Sequence, residues 1–227
     1  ELMDGPDLDQ ARHIQALEAL ARVNRISGVP PRIWREILHL NQRNHDRRRD
    51  RPIRLLDVAC GGGDVVLDIA RRAQAADLPL EIHGCDVSPV ALEHARDEAQ
   101  RQGVAADFFA RDAVTEGLPG GYDLVSSSLF LHHVGHKDAV TLLRGMATAG
   151  RSVLVQDLLR GRIGYMMAWA GLRLLSRSEV ARVDGPRSVQ AAFNLPEVRA
   201  MAVEAGLSGV VIERGWPQRF ILRWRGS

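Results

Sequence analysis

The chain has 227 residues, 45% of them hydrophobic, 26% charged and 5% aromatic, with a formal net charge of +2. At roughly 150 residues per domain this is one large domain or a domain with a small cap, and such a chain buries roughly 70–75% of its unfolded surface without a metal or a disulfide. The ordinary apolar fraction excludes disorder as the main state, and Cys60 and Cys85 alone make no disulfide framework, so a reduced, cytoplasmic protein is expected.

No N-terminal stretch joins a basic start, an apolar centre and a small-residue cleavage site. Residues 7–24 carry Leu8, Ala11, Ile14, Leu17, Leu20 and Ala21 at helical spacing, and Ser27-Gly28-Val29-Pro30-Pro31 reads as the break after them. A second helix is expected over 32–42. The polar run that follows holds Arg43, Arg47, Arg48, Arg49 and Arg51, but Asp46 and Asp50 interrupt it and no aromatics are interleaved. It reads as a solvated connector, so no nucleic-acid partner is expected. Residues 1–50 are thus a helical extension, and 51–227 the main domain.

From Arg54 short apolar runs alternate with helices. Strands are expected at 54–59, 81–85, 107–110, 122–127 and 152–156, and helices at 65–76, 89–102 and 138–148. Ser88-Pro89 is a cap followed by proline at the first helical position. The alternation predicts a parallel sheet covered on both faces. A strongly apolar helix is expected at 163–175, broken by Arg173 and far short of the roughly 20 residues of a membrane span, so no stable membrane insertion is expected. Residues 177–192 read as partly helical, and 196–205 as a helix stopped by Gly206. Strands at 209–213 and 219–224 flank Trp216-Pro217 and are expected to pair antiparallel.

The strongest motif is Leu55-Leu56-Asp57-Val58-Ala59-Cys60-Gly61-Gly62-Gly63-Asp64-Val65, which follows a strand and opens a helix. Glycines let backbone approach a ligand closely, and the helix start offers free N–H groups. The string lacks the lysine of a phosphate-binding P-loop, and Val66 stands where a dinucleotide fingerprint has its third glycine. Asp57 and Asp64 suit a ligand bearing positive charge better than a pyrophosphate. The second strand ends at Asp86, which can accept two hydrogen bonds from a ribose diol. The third is followed by Asp112, placed to accept the exocyclic amine of adenine. Each acid alone also reads as a helix cap.

Together these residues resemble the class I S-adenosylmethionine-dependent methyltransferases, with Ala59 replacing the first glycine of the loop. The resemblance covers about 54–227. It implies a Rossmann-like, doubly wound, mainly parallel α/β sheet of seven strands, with a C-terminal antiparallel hairpin and an N-terminal helical cap. It implies S-adenosyl-L-methionine as cofactor, held by Asp57, Ala59, Cys60, Gly61 and Gly63, by Asp86 with Val87, by Asp112 with Ala113, and by Ser128.

Ser127-Ser128-Leu129-Phe130 departs from the string typical of amino-methyltransferases acting on DNA or protein, whereas Leu131-His132-His133 resembles small-molecule members. A histidine can take a proton from a phenol or enol near neutral pH, so His132 and His133 are the candidate bases. With no carboxylate cluster at ligand spacing beside them, no metal is expected. An insertion at about 160–192, with Tyr165 and Trp169, is expected to contribute to a substrate lid, and Arg25 and Trp34 to lie near the acceptor. The stretches 175–178 and 184–193 resemble bacterial enzymes of phenolic polyketide and quinone-like products. The expectation is O-methylation of a small phenolic or quinol-like acceptor in secondary metabolism. C-methylation of a similar ring and a non-catalytic cofactor-binding role stand as alternatives. The oligomeric state is left open.

Overall fold

The computed structural model describes residues 10–46, 51–175 and 179–226. Helices α1 (Gln10–Ile26) and α2 (Val29–Asp46) precede the alternating unit. That unit runs β1 (Ile53–Val58), α3 (Asp64–Ala75), β2 (Leu80–Asp86), α4 (Pro89–Gln102), β3 (Asp107–Ala110), β4 (Leu124–Ser128), a short 3-10 turn at Leu131–His133, α5 (His136–Ala149) and β5 (Ser152–Leu158). Helices α6 (Arg162–Leu175), α7 (Glu179–Ala191) and α8 (Leu195–Glu204) lead to β6 (Val211–Gly215) and β7 (Arg219–Arg225). The strands form one seven-stranded sheet in the order β3-β2-β1-β4-β5-β7-β6. Pairing is parallel from β3 to β5, and antiparallel where β7 joins β5 and β6.

Successive strand residues point to opposite faces, so each strand feeds two cores. Leu56, Val58, Val125, Val153, Val155, Phe220 and Leu222 pack with α5 and α8. Ile53, Leu55, Leu124, Leu154 and Ile221 pack with α2, α3 and α4. Val29, Ile33 and Ile37 of α2 are buried in that second core, which makes α2 a layer of the main domain rather than a detached extension. Arg51 grips Asp123 at the start of β4 with two hydrogen bonds, of 2.8 and 2.6 Å.

Several boundaries differ from the sequence reading. The second helix starts at Val29 because Pro30 and Pro31 fall in its first turn, where a missing N–H costs nothing. It continues through Asp46, and the arginines 47–49 lie outside the described residues. β5 extends to Leu158 because β7 pairs along its whole length. The 160–192 insertion is closed at its base by a bridge between Leu159 and Phe193, where Arg160 N–H donates to the Phe193 carbonyl at 3.0 Å. Among the described residues no helix is long and apolar enough to cross a membrane.

Candidate active site

The carboxyl ends of β1, β2 and β4 meet at the glycine loop. Ala59, Gly61 and Gly63 all take left-handed conformations, with φ of 54°, 52° and 75°. Cys60 N–H donates to the Cys85 carbonyl at 3.0 Å and ties the loop to β2. A Cβ on Gly63 would stand 2.9 Å from the Ala95 Cβ and 3.0 Å from the Phe108 ring. Leu129, just past β4, is also left-handed at φ 59°. Two non-glycine residues, Ala59 and Leu129, therefore carry strained backbone at one edge of the sheet, where such strain gathers around ligand sites.

Acidic groups crowd this edge. Asp57 is 3% exposed and accepts a hydrogen bond from Ser126 Oγ at 2.7 Å. Burial pushes its carboxyl up to about 7, and the charges of Asp64 and Asp86 add to the rise. Asp64, first residue of α3, accepts from Asn24 Nδ2 at 3.1 Å, and burial raises it to about 6. Asp86 accepts Gly61 N–H at 2.8 Å on one oxygen and Ser88 N–H at 2.9 Å on the other. A carboxylate has about four acceptor positions, so two remain for a diol. The partners of these three acids are an amide, a hydroxyl and backbone N–H groups, none of them cationic.

Asp112 caps the turn after β3, accepting from Val114 N–H at 2.9 Å and Thr115 N–H at 3.2 Å. Hydrogen bonds from Thr115 and then from the Val114 and Thr115 backbone hold its carboxyl below the usual range. Ala113 beside it is buried and Val87 is exposed. Ser128 ends β4 with its Oγ buried and without a hydrogen-bond partner, as is Asn24 Oδ1 on α1. The residues fit S-adenosylmethionine on two counts: uncompensated carboxylates face a cationic ligand, and an orphaned acceptor at Asn24 matches an ammonium donor.

The paired histidines separate in environment. His132 is 6% exposed, and its Nδ1 lies 2.6 Å from Asp157 Oδ1, while its backbone N–H donates to Oδ2 at 3.3 Å. Asp157, at the end of β5, is 1% exposed. Burial alone would raise its carboxyl, but the charge and hydrogen bond of His132, the Leu158 N–H and the Arg219 charge hold it below the usual range. His133 is exposed and stacks on Phe130 with ring centroids 6.2 Å apart. Helix α5 is capped by Gly135, so neither histidine caps it. His136 pairs with Glu204 at 2.9 Å on the surface. Among the described residues no group of three His, Cys, Asp or Glu is placed to hold a metal.

The remaining candidates scatter. Arg25 is exposed in the last turn of α1, and Trp34 packs at the margin of the α2 core. Tyr165 lines an open cavity of about 560 Å³ together with Arg160, Arg162, Met166 and Val189. Trp169 is exposed on α6. Sequence reasoning missed Asp157, Ser126 and Arg219. The signal for Asp157 is a Gln-Asp pair closing the apolar run of β5 at the ligand edge of the sheet.

A methyltransferase-domain family model matches residues 55–152. The demethylmenaquinone methyltransferase of Thermus thermophilus is 33% identical over 170 residues, covering 69% of this chain and 75% of that protein. The ubiquinone biosynthesis O-methyltransferase of Bordetella parapertussis is 31% identical over 163 residues, covering 68% of this chain but 61% of its own length. Among solved structures, an S-adenosylmethionine-dependent methyltransferase from Aquifex aeolicus matches with a TM-score of 0.62 at 11% identity, over 96% of this chain and 98% of that one. The magnesium protoporphyrin IX methyltransferase of Synechocystis, solved with bound S-adenosylhomocysteine, matches with a TM-score of 0.55 at 16% identity, over 96% and 84%. With these relatives, this sheet order and this acid-lined glycine loop, the chain belongs to the class I S-adenosylmethionine-dependent methyltransferases, of the small-molecule type.

Proposed function

We propose that the chain methylates a hydroxyl of a small phenolic or quinol-like acceptor, in a secondary-metabolic role in the cytoplasm. The observation that carries this reading is the buried His132–Asp157 pair at the carboxyl edge of the sheet. An ionised Asp157 accepts a hydrogen bond from Nδ1–H and fixes the tautomer, so that Nε2 is the basic nitrogen. His132 then removes the acceptor's hydroxyl proton, and the resulting oxygen is the nucleophile. When bound, S-adenosylmethionine supplies an electrophilic methyl group. The chain's task is to align the acceptor in line with it and to exclude water.

The loop residues Asp57, Ala59, Cys60, Gly61 and Gly63 hold the methionine end in this reading. Asp86 and Val87 hold the ribose, Asp112 and Ala113 the adenine, and Ser128 faces the methyl end. Helix α1 and the 160–192 insertion act as lids in this reading, and Arg25, Trp34, Tyr165 and Trp169 are the candidates to face the acceptor. The quinone-pathway names of the relatives support an aromatic acceptor. The test is transfer of labelled methyl from S-adenosylmethionine to a panel of phenols, quinols and resorcinols, with products located by fragmentation. A labelled methyl ether supports the reading. Label on a ring carbon replaces it with C-methylation, and no transfer to any member refutes it.

A further inference from the structure

Arg219 opens β7 and pairs with Leu158 at the end of β5, so it stands at the same sheet edge as His132 and Asp157. Its side chain is 2% exposed. One nitrogen, Nη2, donates to Ser27 Oγ at 2.9 Å, while Nε and Nη1 have no hydrogen-bond partner. Buried guanidinium groups ordinarily have their donors used, because an unpaired buried charge is costly. The carboxylate that balances it, Asp157, already accepts from the His132 ring and backbone and from Leu158 N–H. A second guanidinium is close by: Arg32 Nη1 donates to the Ser27 carbonyl at 2.6 Å and to Gln156 Oε1 at 3.3 Å. A second positive charge thus stands beside Arg219, whose balancing carboxylate is already committed.

Charge is polarised along this edge. In the sheet order β1-β4-β5-β7, the acids Asp57, Asp64 and Asp86 gather at the β1 end and the arginines at the β7 end. Those ends are three strand spacings apart, about 14 Å. Asn24 Oδ1 at the acidic end is an orphaned acceptor, and Arg219 at the basic end holds orphaned donors. The first suits a cation and the second an anion.

We propose that Arg219, with Arg32 beside it, is the acceptor-reading subsite and takes an anionic oxygen of an aromatic acceptor, a carboxylate or an ionised phenol. This rests on the methyltransferase reading above and names the acceptor's chemistry. Ser27 Oγ takes Nη2, and the acceptor's anionic oxygen takes the Nε and Nη1 donors left over. Arg219 touches the acceptor and sets which acceptor binds; proton removal stays with His132.

The test starts by titrating S-adenosylhomocysteine into the wild type, Arg219→Gln and Arg219→Lys, which checks folding and the cofactor reading separately. Benzoate, its neutral isostere benzamide, and a nitrophenol ionised at the assay pH are then titrated into each saturated protein. The wild type is expected to bind benzoate or nitrophenol at least tenfold more tightly than benzamide. Arg219→Gln should remove that preference, leaving benzamide within twofold, and Arg219→Lys should retain part of it. Dependence of benzoate binding on Arg219 identifies a carboxylate, and dependence of nitrophenol alone an ionised phenol. If Arg219→Gln fails to bind S-adenosylhomocysteine, Arg219→Lys decides: an unchanged preference overturns the proposal. Equal wild-type binding of all three probes, or equal loss for all in Arg219→Gln, reduces Arg219 to a counter-charge for Asp157 and also overturns it. Absence of S-adenosylhomocysteine binding in the wild type removes the methyltransferase reading and this one with it.

Discussion

Asn24 Nδ2 lies 3.1 Å from Asp64 Oδ2, which ties the last turns of α1 to the first residue of α3 and draws α1 across the glycine loop. Leu17 of the same helix reaches within 3.5 Å of where side chains on Gly61 and Gly62 would stand. The cover over the loop is therefore latched through a carboxyl that titrates near neutrality.

In the proposed reading, that latch makes cofactor affinity pH-dependent. Burial holds Asp57 at about 7 and Asp64 at about 6, so both are ionised at pH 8 and both are largely protonated at pH 5.5. Protonation removes the negative charge that a ligand ammonium needs. Calorimetric titration of S-adenosylhomocysteine at constant ionic strength should show affinity falling about tenfold as pH drops from 8 to 5.5. Asp64→Asn should flatten the lower part of that curve, and a pH-independent wild-type affinity would contradict the assignment.

The same burial affects stability with a definite sign. Asp57 titrates at about 7 when folded, above its unfolded value near 3.8. Between those values the folded state binds the extra proton, so stability falls as pH rises from about 4 to 7. Asp57→Asn removes the cost of ionising a buried group, on the order of 2–4 kcal/mol, and should raise the ligand-free Tm at pH 8 by roughly 5 °C or more. It should also abolish S-adenosylhomocysteine binding. Thermal melts at pH 4 and pH 8 check both the rise and its near-disappearance at the lower pH.

The fold was legible where periodicity and punctuation agree. The helix over 89–102 carries Ser88, Pro89 and Gly103 at its ends, and both boundaries match the structure. Asp57, Asp86 and Asp112 stand out because each closes or follows an apolar strand. What could not be read is contact across the sheet. Asp157 acquires its meaning from His132, 25 residues away, and Arg219 from Ser27, 192 residues away. A single polar residue in an apolar strand carries no local sign of such a partner. The prolines misled for the opposite reason: Pro30 and Pro31 are breakers within a helix but harmless in its first turn.

For the His132–Asp157 pair, Asp157→Asn keeps the shape but reverses the hydrogen-bond preference that sets the imidazole tautomer. It should lower kcat with an ordinary phenol by about 10²–10⁴-fold while S-adenosylhomocysteine affinity stays within about twofold. A nitrophenol, ionised near neutral pH, needs no base and should lose far less. Equal losses for both acceptors would assign the pair a structural role instead.

In the proposed reading Asp86 joins two functions. Its carboxylate holds Gly61 N–H and Ser88 N–H, and it keeps acceptor positions for a diol. Asp86→Ala should weaken S-adenosylhomocysteine by about 2–5 kcal/mol in calorimetry. Homocysteine, which has no ribose, offers the control, since any change in its binding reports loosening of the loop alone.

Two glycines of the loop separate backbone strain from packing. Gly61 and Gly63 are both left-handed, so alanine at either costs about 1–2 kcal/mol in backbone energy. A Cβ on Gly61 meets only Leu17 Cδ2 at 3.5 Å, an ordinary contact. On Gly63 it meets Ala95 and Phe108 at 2.9–3.0 Å, where helix α4 and strand β3 are held by the second core and have little room to yield. Overpacking of this kind adds about 1–3 kcal/mol. Urea unfolding should therefore rank Gly63→Ala as clearly less stable than Gly61→Ala, with unchanged m-values. The reverse ranking would mean that α4 sits farther from the loop than this packing requires, and that Gly63 is glycine for the ligand's sake alone.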